Sequence, residues 1–89
     1  MLQPFYSKQF EKDIKRQKKR GKNLNKLKQI MELLINEKKL PVRNRDHRLT
    51  GNFKNYRECH IEPDWLMLYK ATETEIYFTR IGSHSDLFQ

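Results

Sequence analysis

The stretch RECHIEPDW, Arg57 to Trp65, sets an imidazole, a carboxylate and the only tryptophan around one proline, in a chain with three histidines, His47, His60 and His84. An unperturbed pKa of about 6.5 lets histidine take or give a proton near neutrality, so such a group with Asp64 suits general acid–base work. Each histidine also has a plainer reading. His60, beside Cys59 in a strand-like run, can be a structural hydrogen-bonding residue; His47 can be solvated in its charged loop, and His84 can be a tail residue.

Other chemistries fit less well. Three histidines and Asp64 could ligate zinc, but no HExxH, CxxC or HxxxH spacing supports a preformed site. Cys59 could be a nucleophile, although a strand position points it toward a core. There is no GxSxG, Walker or dinucleotide-binding motif. RNA cleavage by side chains alone accounts for more of these residues together. It needs a base for the ribose 2′-hydroxyl, an acid for the leaving 5′-oxygen, cations for the phosphate and an aromatic to stack a base. The histidines and Asp64 supply the first two, Arg80, Arg57, Lys54 and Arg48 are candidates for the third, and Trp65 or Phe88 for the last.

The elements that must position these residues follow from the pattern. Leu2–Tyr6 reads as an edge strand interrupted by Pro4. Ser7 offers an N-cap to a helix from Lys8 to Arg20, with Phe10 and Ile14 as its apolar stripe and Gly21 closing it. Asn23 caps a second helix, in which Leu24, Leu27, Ile30, Met31, Leu34 and Ile35 recur at three- and four-residue spacing. The short connection predicts an antiparallel helical pair on a flat surface. Glu37–Asn52, with Pro41 and Gly51, reads as an extended loop. Three strand-like runs follow, Phe53–Ile61, Trp65–Ala71 and Glu75–Ile81, and connections this short force an antiparallel meander. The tail GSHSDLFQ is too short for a further full element. The expected architecture is α+β, one domain over residues 1–89 in the order β-α-α-β-β-β: an antiparallel twisted sheet with the helical hairpin on one face. In it His60, Asp64 and Trp65 are neighbours at one hairpin turn. His47 and His84 join them only if loop and tail fold over the sheet.

Charge adds a partner. The chain holds 19 Lys+Arg against 11 Asp+Glu. Residues 1–30 carry ten basic side chains against Glu11 and Asp13, whereas residues 31–89 carry nine against nine. The whole excess, including Lys12, Lys15, Arg16, Lys18, Lys19, Arg20 and Lys22, therefore lies in the first third, as expected of a footprint for nucleic acid or an acidic protein. A single cysteine rules out an internal disulfide and fits a reducing compartment. No apolar run approaches the roughly 20 residues of a membrane span and no hydrophobic signal core opens the chain, so a cytoplasmic protein without a membrane partner is expected.

The segments DHRLTGNFKNYRECHIEPDWLMLYK and RIGSHSDLF strongly resemble the YafQ branch of the RelE superfamily of bacterial toxins, over about Ser7 to Phe88. The resemblance implies a RelE-like fold, a ribosome-dependent endoribonuclease cutting mRNA in the A site without a cofactor, and neutralisation by a cognate antitoxin of the DinJ/RelB type. It also implies operator DNA binding only through the antitoxin complex. The family's functional positions map to His47, His60, Asp64, Trp65, His84 and Phe88. From these we expect His84 as general acid or base, His60 and Asp64 as its partners or phosphate-positioning groups, and His47 as support. Trp65 and Phe88 become substrate contacts, and the basic hairpin a grip on ribosomal RNA. Two other readings remain: a nucleic-acid-binding module with incidental histidines, and a non-catalytic antitoxin-binding regulator.

Overall fold

The computed structural model describes residues 1–88. Its elements are β1 (Gln3–Tyr6), α1 (Lys8–Lys19), α2 (Leu24–Ile35), β2 (His47–Arg48), β3 (Arg57–Glu62), β4 (Trp65–Ala71), β5 (Glu75–Gly82) and α3 (His84–Phe88), with single 3-10 turns at Val42–Asn44 and Gly51–Phe53. Both expected caps form. Ser7 Oγ accepts from the Phe10 N–H at 2.9 Å and Asn23 Oδ1 from the Asn25 N–H at 3.0 Å, each worth about 1 kcal/mol of helix stability. Between the helices Gly21 takes φ +78°, which lets the chain reverse over a few residues. The reversal brings the end of α2 back to the start of the chain, where the Leu2 N–H donates to Ile35 O at 2.8 Å.

The sheet has the order β1-β5-β4-β3-β2. Strands β2 to β5 pair antiparallel, as the short connections required, but β1 pairs parallel with β5, Gln3 opposite Glu75 to Tyr6 opposite Phe78. The reason is the helical hairpin: with α1 and α2 between it and the meander, β1 has no hairpin partner and fills the free edge of the last strand. Two further differences concern boundaries. The run starting at Phe53 becomes a strand only at Arg57, because Gly51 at φ +66° opens a 3-10 turn through Phe53, and the loop before it contributes the two-residue strand β2. The tail, short as it is, forms one turn and more of helix.

Beyond Tyr6 the β5 edge is covered by the start of α1. The Ser7 N–H donates to Phe78 O and its hydroxyl to Thr79 O at 2.8 Å, while the buried Asp13 carboxylate accepts the Ile81 N–H at 3.1 Å. The helices lie on the face that carries Cys59, Ile61, Trp65, Met67, Tyr69, Ile76, Phe78 and Ile81, into which Phe10, Leu27, Ile30 and Leu34 pack. The opposite face is read from the register. One row runs Glu58–Leu68–Arg80 and the next His60–Leu66–Gly82. Among the described residues no helix is long and apolar enough to cross a membrane.

Candidate active site

Alternation along β3 puts Glu58 and His60 on the face away from the helices. In the same row, across Leu66, lies Gly82; the chain then turns into α3, whose first residue is His84. Thus α3 folds the tail back over the sheet, and the His84 and His60 rings come within 6.1 Å of each other between centroids. His47 approaches from the other side. It pairs with Glu58 across β2 and β3, and its ring lies 6.4 Å from that of His60. All three histidines therefore form one row, which Phe88 continues at 6.3 Å from His84, followed by Phe53 packed edge-on against Phe88 at 5.8 Å.

Two carboxylates organise the row. Asp64, exposed on the β3–β4 turn, accepts both from the His84 backbone N–H at 2.9 Å and from its Nδ1 at 2.7 Å. Those two bonds, the backbone one first, hold the Asp64 carboxyl below its ordinary value. An ionised carboxylate can only accept, so Nδ1 carries the proton and Nε2 of His84 is left to exchange one. Glu58 is the second. Although buried, it places Oε1 3.3 Å from Nε2 of His60 and 3.5 Å from Nε2 of His47. Their Nδ1 atoms face the carbonyls of Pro63, at 3.3 Å, and Arg45, at 2.6 Å. Carbonyls only accept, so both Nδ1 atoms donate, and both Nε2 atoms face the Glu58 carboxylate. The site thus holds one imidazole of fixed tautomer, His84, opposite the His47–Glu58–His60 group.

The chain matches the family model described as bacterial toxin of type II toxin-antitoxin system, YafQ, over residues 2–89. It belongs to that family. The mRNA interferase toxin YafQ of Escherichia coli K12 is 49% identical over 84 residues, 93% of this chain and 91% of that one. Two solved structures superpose over the full length of both chains: YafQ in the E. coli DinJ-YafQ complex, at TM-score 0.94 and 46% identity, and YafQ from E. coli BL21(DE3), at 0.95 and 44%. The RelE-like fold expected from the sequence is the one the chain adopts.

Within this YafQ-family site, the residues expected from the sequence divide sharply. His47, His60, Asp64, His84 and Phe88 are brought together. Trp65 is not: it is wholly buried on the helix side of the sheet, beneath the Lys22 ammonium at 5.6 Å, and offers no face to a base. Adjacency to Asp64 was misleading because Asp64 stays on the exposed turn, whereas Trp65 opens β4 and shares the helix-side face of Met67 and Tyr69. Arg57 also lies on the helix side, donating to Asp46 Oδ1 at 3.2 Å; the Tyr69 hydroxyl donates to the same oxygen at 2.6 Å. This pair fastens the loop one residue before His47. Arg80 shares the Glu58 row, but its Nε and Nη2 donate to Asp13 at 2.8 and 3.3 Å. Lys54 is exposed beside the Gly51–Phe53 turn and, among the described residues, bonds to none of the histidines; Arg48 is exposed on β2. Burial first, then the Asp46 and Glu58 carboxylates, pushes the Cys59 thiol far up, so it stays protonated in the core.

Glu58 and Asp46 are the residues that sequence reasoning missed. The usable signal was parity: Glu58 stands two residues before His60 in a strand and so shares its face, whereas Asp46 immediately precedes His47. Replacing Glu58 by Gln keeps the shape and removes the charge that the two imidazoles share. It is expected to slow single-turnover RNA cleavage about tenfold at neutral pH, below the roughly 10²- to 10⁴-fold of a group that itself transfers the proton. An unchanged rate would separate Glu58 from the chemistry.

The basic first third is not all free surface either. Arg20 donates twice to Asp86 of α3, at 2.6 and 3.0 Å, and Arg16 lies 3.6 Å from the same carboxylate. Lys22 and Lys26 each meet Glu62 at 3.2 Å. Lys12, Lys15, Lys18 and Lys19 remain exposed along α1. Arg20 and Arg16 therefore clamp the helix that carries His84. Gly82 makes the clamp possible, because a Cβ there would stand 2.7 Å from Asp86 Oδ2 and 2.8 Å from its Cβ. Gly82→Ala must displace α3. With catalytic groups, a shift of about 1 Å costs on the order of 10²-fold in rate, and a loss of that size is expected with the melting temperature nearly unchanged. Wild-type cleavage in this variant would show that His84 does not need its observed place.

Proposed function

We propose that this chain is the toxin of a type II toxin–antitoxin pair and acts as an mRNA interferase, cleaving mRNA in the ribosomal A site by acid–base chemistry from its own side chains. The observation that carries this reading is the Asp64–His84 pair facing His60 at 6.1 Å between ring centroids, with Glu58 and His47 behind it. The 2′-hydroxyl attacks the adjacent phosphorus, the P–O5′ bond breaks, and a 2′,3′-cyclic phosphate and a 5′-hydroxyl result. One group takes the 2′-proton as another delivers a proton to O5′; Nε2 of His84 is placed for one of these transfers, and the His47–Glu58–His60 group opposite it is assigned the other. Phe88, 41% exposed, and Phe53, 39% exposed, form an edge-on aromatic pair beside His84 against which a base can stack.

The exposed lysines of α1 then provide a salt-sensitive grip on ribosomal RNA. The E. coli relative is described in complex with DinJ, and a DinJ-type antitoxin is the partner proposed here, with operator DNA bound through that complex. The test compares two reporter mRNAs, one with and one without a start codon, after brief induction of the toxin. Internal 5′ ends confined to the translated reporter are expected. Equal cutting of both would overturn ribosome dependence, and no cutting of either would overturn the nuclease reading.

A further inference from the structure

Bordered by His60 is a cleft of about 540 Å³ between α2, the Val42–Asn44 turn and the end of β3. Its size falls within the range of about 300–1,000 Å³ typical of small-ligand sites. Its floor includes the buried side chains of Ile30 and Ile61. Its rim is cationic. Lys26 stands on one side and Arg43 and Arg45 on the other, and both arginines are exposed and without a carboxylate partner among the described residues. Glu62, the single carboxylate of the lining, is already held between Lys22 and Lys26. Between the arginines, Asn44 is buried. Its Nδ2 donates to His60 O at 2.7 Å, while its Oδ1 has no partner among the described residues.

We propose that this cleft is a nucleotide subsite for the RNA substrate, holding the nucleotide that flanks the scissile phosphate on the His60 side. An apolar floor under a cationic rim matches a base and its phosphate, and single-stranded RNA is read through unstacked bases. His60 belongs both to the His84–His60 pair and to the lining of the cleft, so a strand engaged by the pair is in reach of it. The two sides of the cleft also fix the site itself. The Arg45 carbonyl orients His47 and the Pro63 carbonyl orients His60, so a nucleotide seated there bears directly on the imidazole geometry. Arg45 sits in the left-handed region at φ +47°, an uncommon conformation for a side-chain-bearing residue, and this turn aims its carbonyl at the His47 ring. The subsite rests on the cleavage reading above, with which it shares His60.

The experiment uses the full chain and a fully 2′-O-methylated RNA hexanucleotide, which cannot be cleaved. Binding is followed by fluorescence anisotropy at several salt concentrations and by NMR. We expect shifts at Ile30 and Ile61, and affinity about tenfold weaker in Arg43→Gln/Arg45→Gln. The slope of log K against log salt should flatten by about 0.7 for each phosphate that is no longer neutralised. Equal affinity and slope in the double variant, or shifts confined to α1, would overturn the subsite. So would an RNA that leaves Ile30 and Ile61 unshifted where an acidic peptide shifts them, since the cleft would then be a protein-docking site. The two readings fail separately: a wild type that binds the hexanucleotide in the cleft but leaves ribosome-bound mRNA intact overturns cleavage, whereas a double variant that cuts mRNA at wild-type KM overturns the cleft.

Discussion

His84→Ala is expected to reduce RNA cleavage by roughly 10²- to 10⁴-fold, the usual contribution of one positioned acid or base, while leaving the protein folded. The fold should survive because the side chain is 57% exposed on a five-residue terminal helix and contributes nothing to the core. Chemistry should fail because Nε2 of His84 is the imidazole nitrogen with a fixed tautomer and no competing protein partner among the described residues. Asp64→Asn tests the same pair from the other side. An amide oxygen in the place of Oδ1 can accept both bonds, so the tautomer is kept, but the negative charge facing the positive charge that develops on the ring during proton transfer is lost. Asp64→Asn is therefore expected to lose activity through that missing charge, with little change in stability. Wild-type turnover in both folded variants would remove this pair from the mechanism.

The pair also has a pH signature. Asp64 and Asp86 both have carboxyls held below their ordinary value: Asp64 by the His84 N–H and imidazole, Asp86 chiefly by the Arg20 guanidinium. A group whose pKa is depressed by folding stabilises the folded arrangement above its unfolded pKa, about 3.9 for Asp, and loses that contribution as pH falls through the folded value. Docking of α3 should therefore be constant between about pH 5 and 8 and loosen only in strong acid. NMR signals of Phe88 followed from neutral pH into strong acid check this.

Which parts of this were legible in the sequence depended on how many physical readings a segment allowed. The helices were, because Ser7 and Asn23 are capping residues ahead of three- and four-residue apolar spacing, and both caps form. The meander was, because its connections are too short for anything but antiparallel pairing. The partner of β1 was not. A strand of four residues before a helical hairpin carries no mark of which edge it will join, and the answer depends on where β5 leaves hydrogen-bonding groups free. Face assignment in β4 failed for a related reason. Trp65 to Tyr69 are apolar on both parities, so alternation could not say which residues belong under the helices. In β5 a register shift puts Phe78 opposite Tyr69 and Arg80 opposite Leu68, so Phe78 and Ile81 both reach the core three residues apart. The chemistry-bearing residue types were visible throughout. What joined them was invisible: α3 clamped by Arg20 to Asp86, and Glu58 buried between two rings.

Trp65→Ala is expected to act on stability and not on substrate binding, costing about 3–5 kcal/mol, the usual range for truncating a buried tryptophan. Domains of this kind hold a total of only about 5–15 kcal/mol, so the variant should be extensively unfolded or close to it at about 37 °C. Trp65 is completely buried beside Cys59, Ile61 and Met67, and removing it opens a void under the β3–β4 turn that carries Asp64. Cleavage would fall as a secondary result. Trp65→Phe separates the two roles. Nε1 of Trp65 has no hydrogen-bond partner among the described residues, so phenylalanine gives up no hydrogen bond there and keeps an aromatic ring beneath Lys22. It should fold with a modest shift in urea midpoint and cleave RNA at nearly the wild-type rate. The contrary pattern, an unchanged urea midpoint in Trp65→Ala with cleavage abolished, would mean that the indole leaves the core to meet RNA. Burial weighs against that outcome: exposing the indole would take its apolar surface from the core into water, at roughly 25 cal/mol per Å², before any base could stack on it. Phe88 and Phe53, already exposed beside His84, face no such cost.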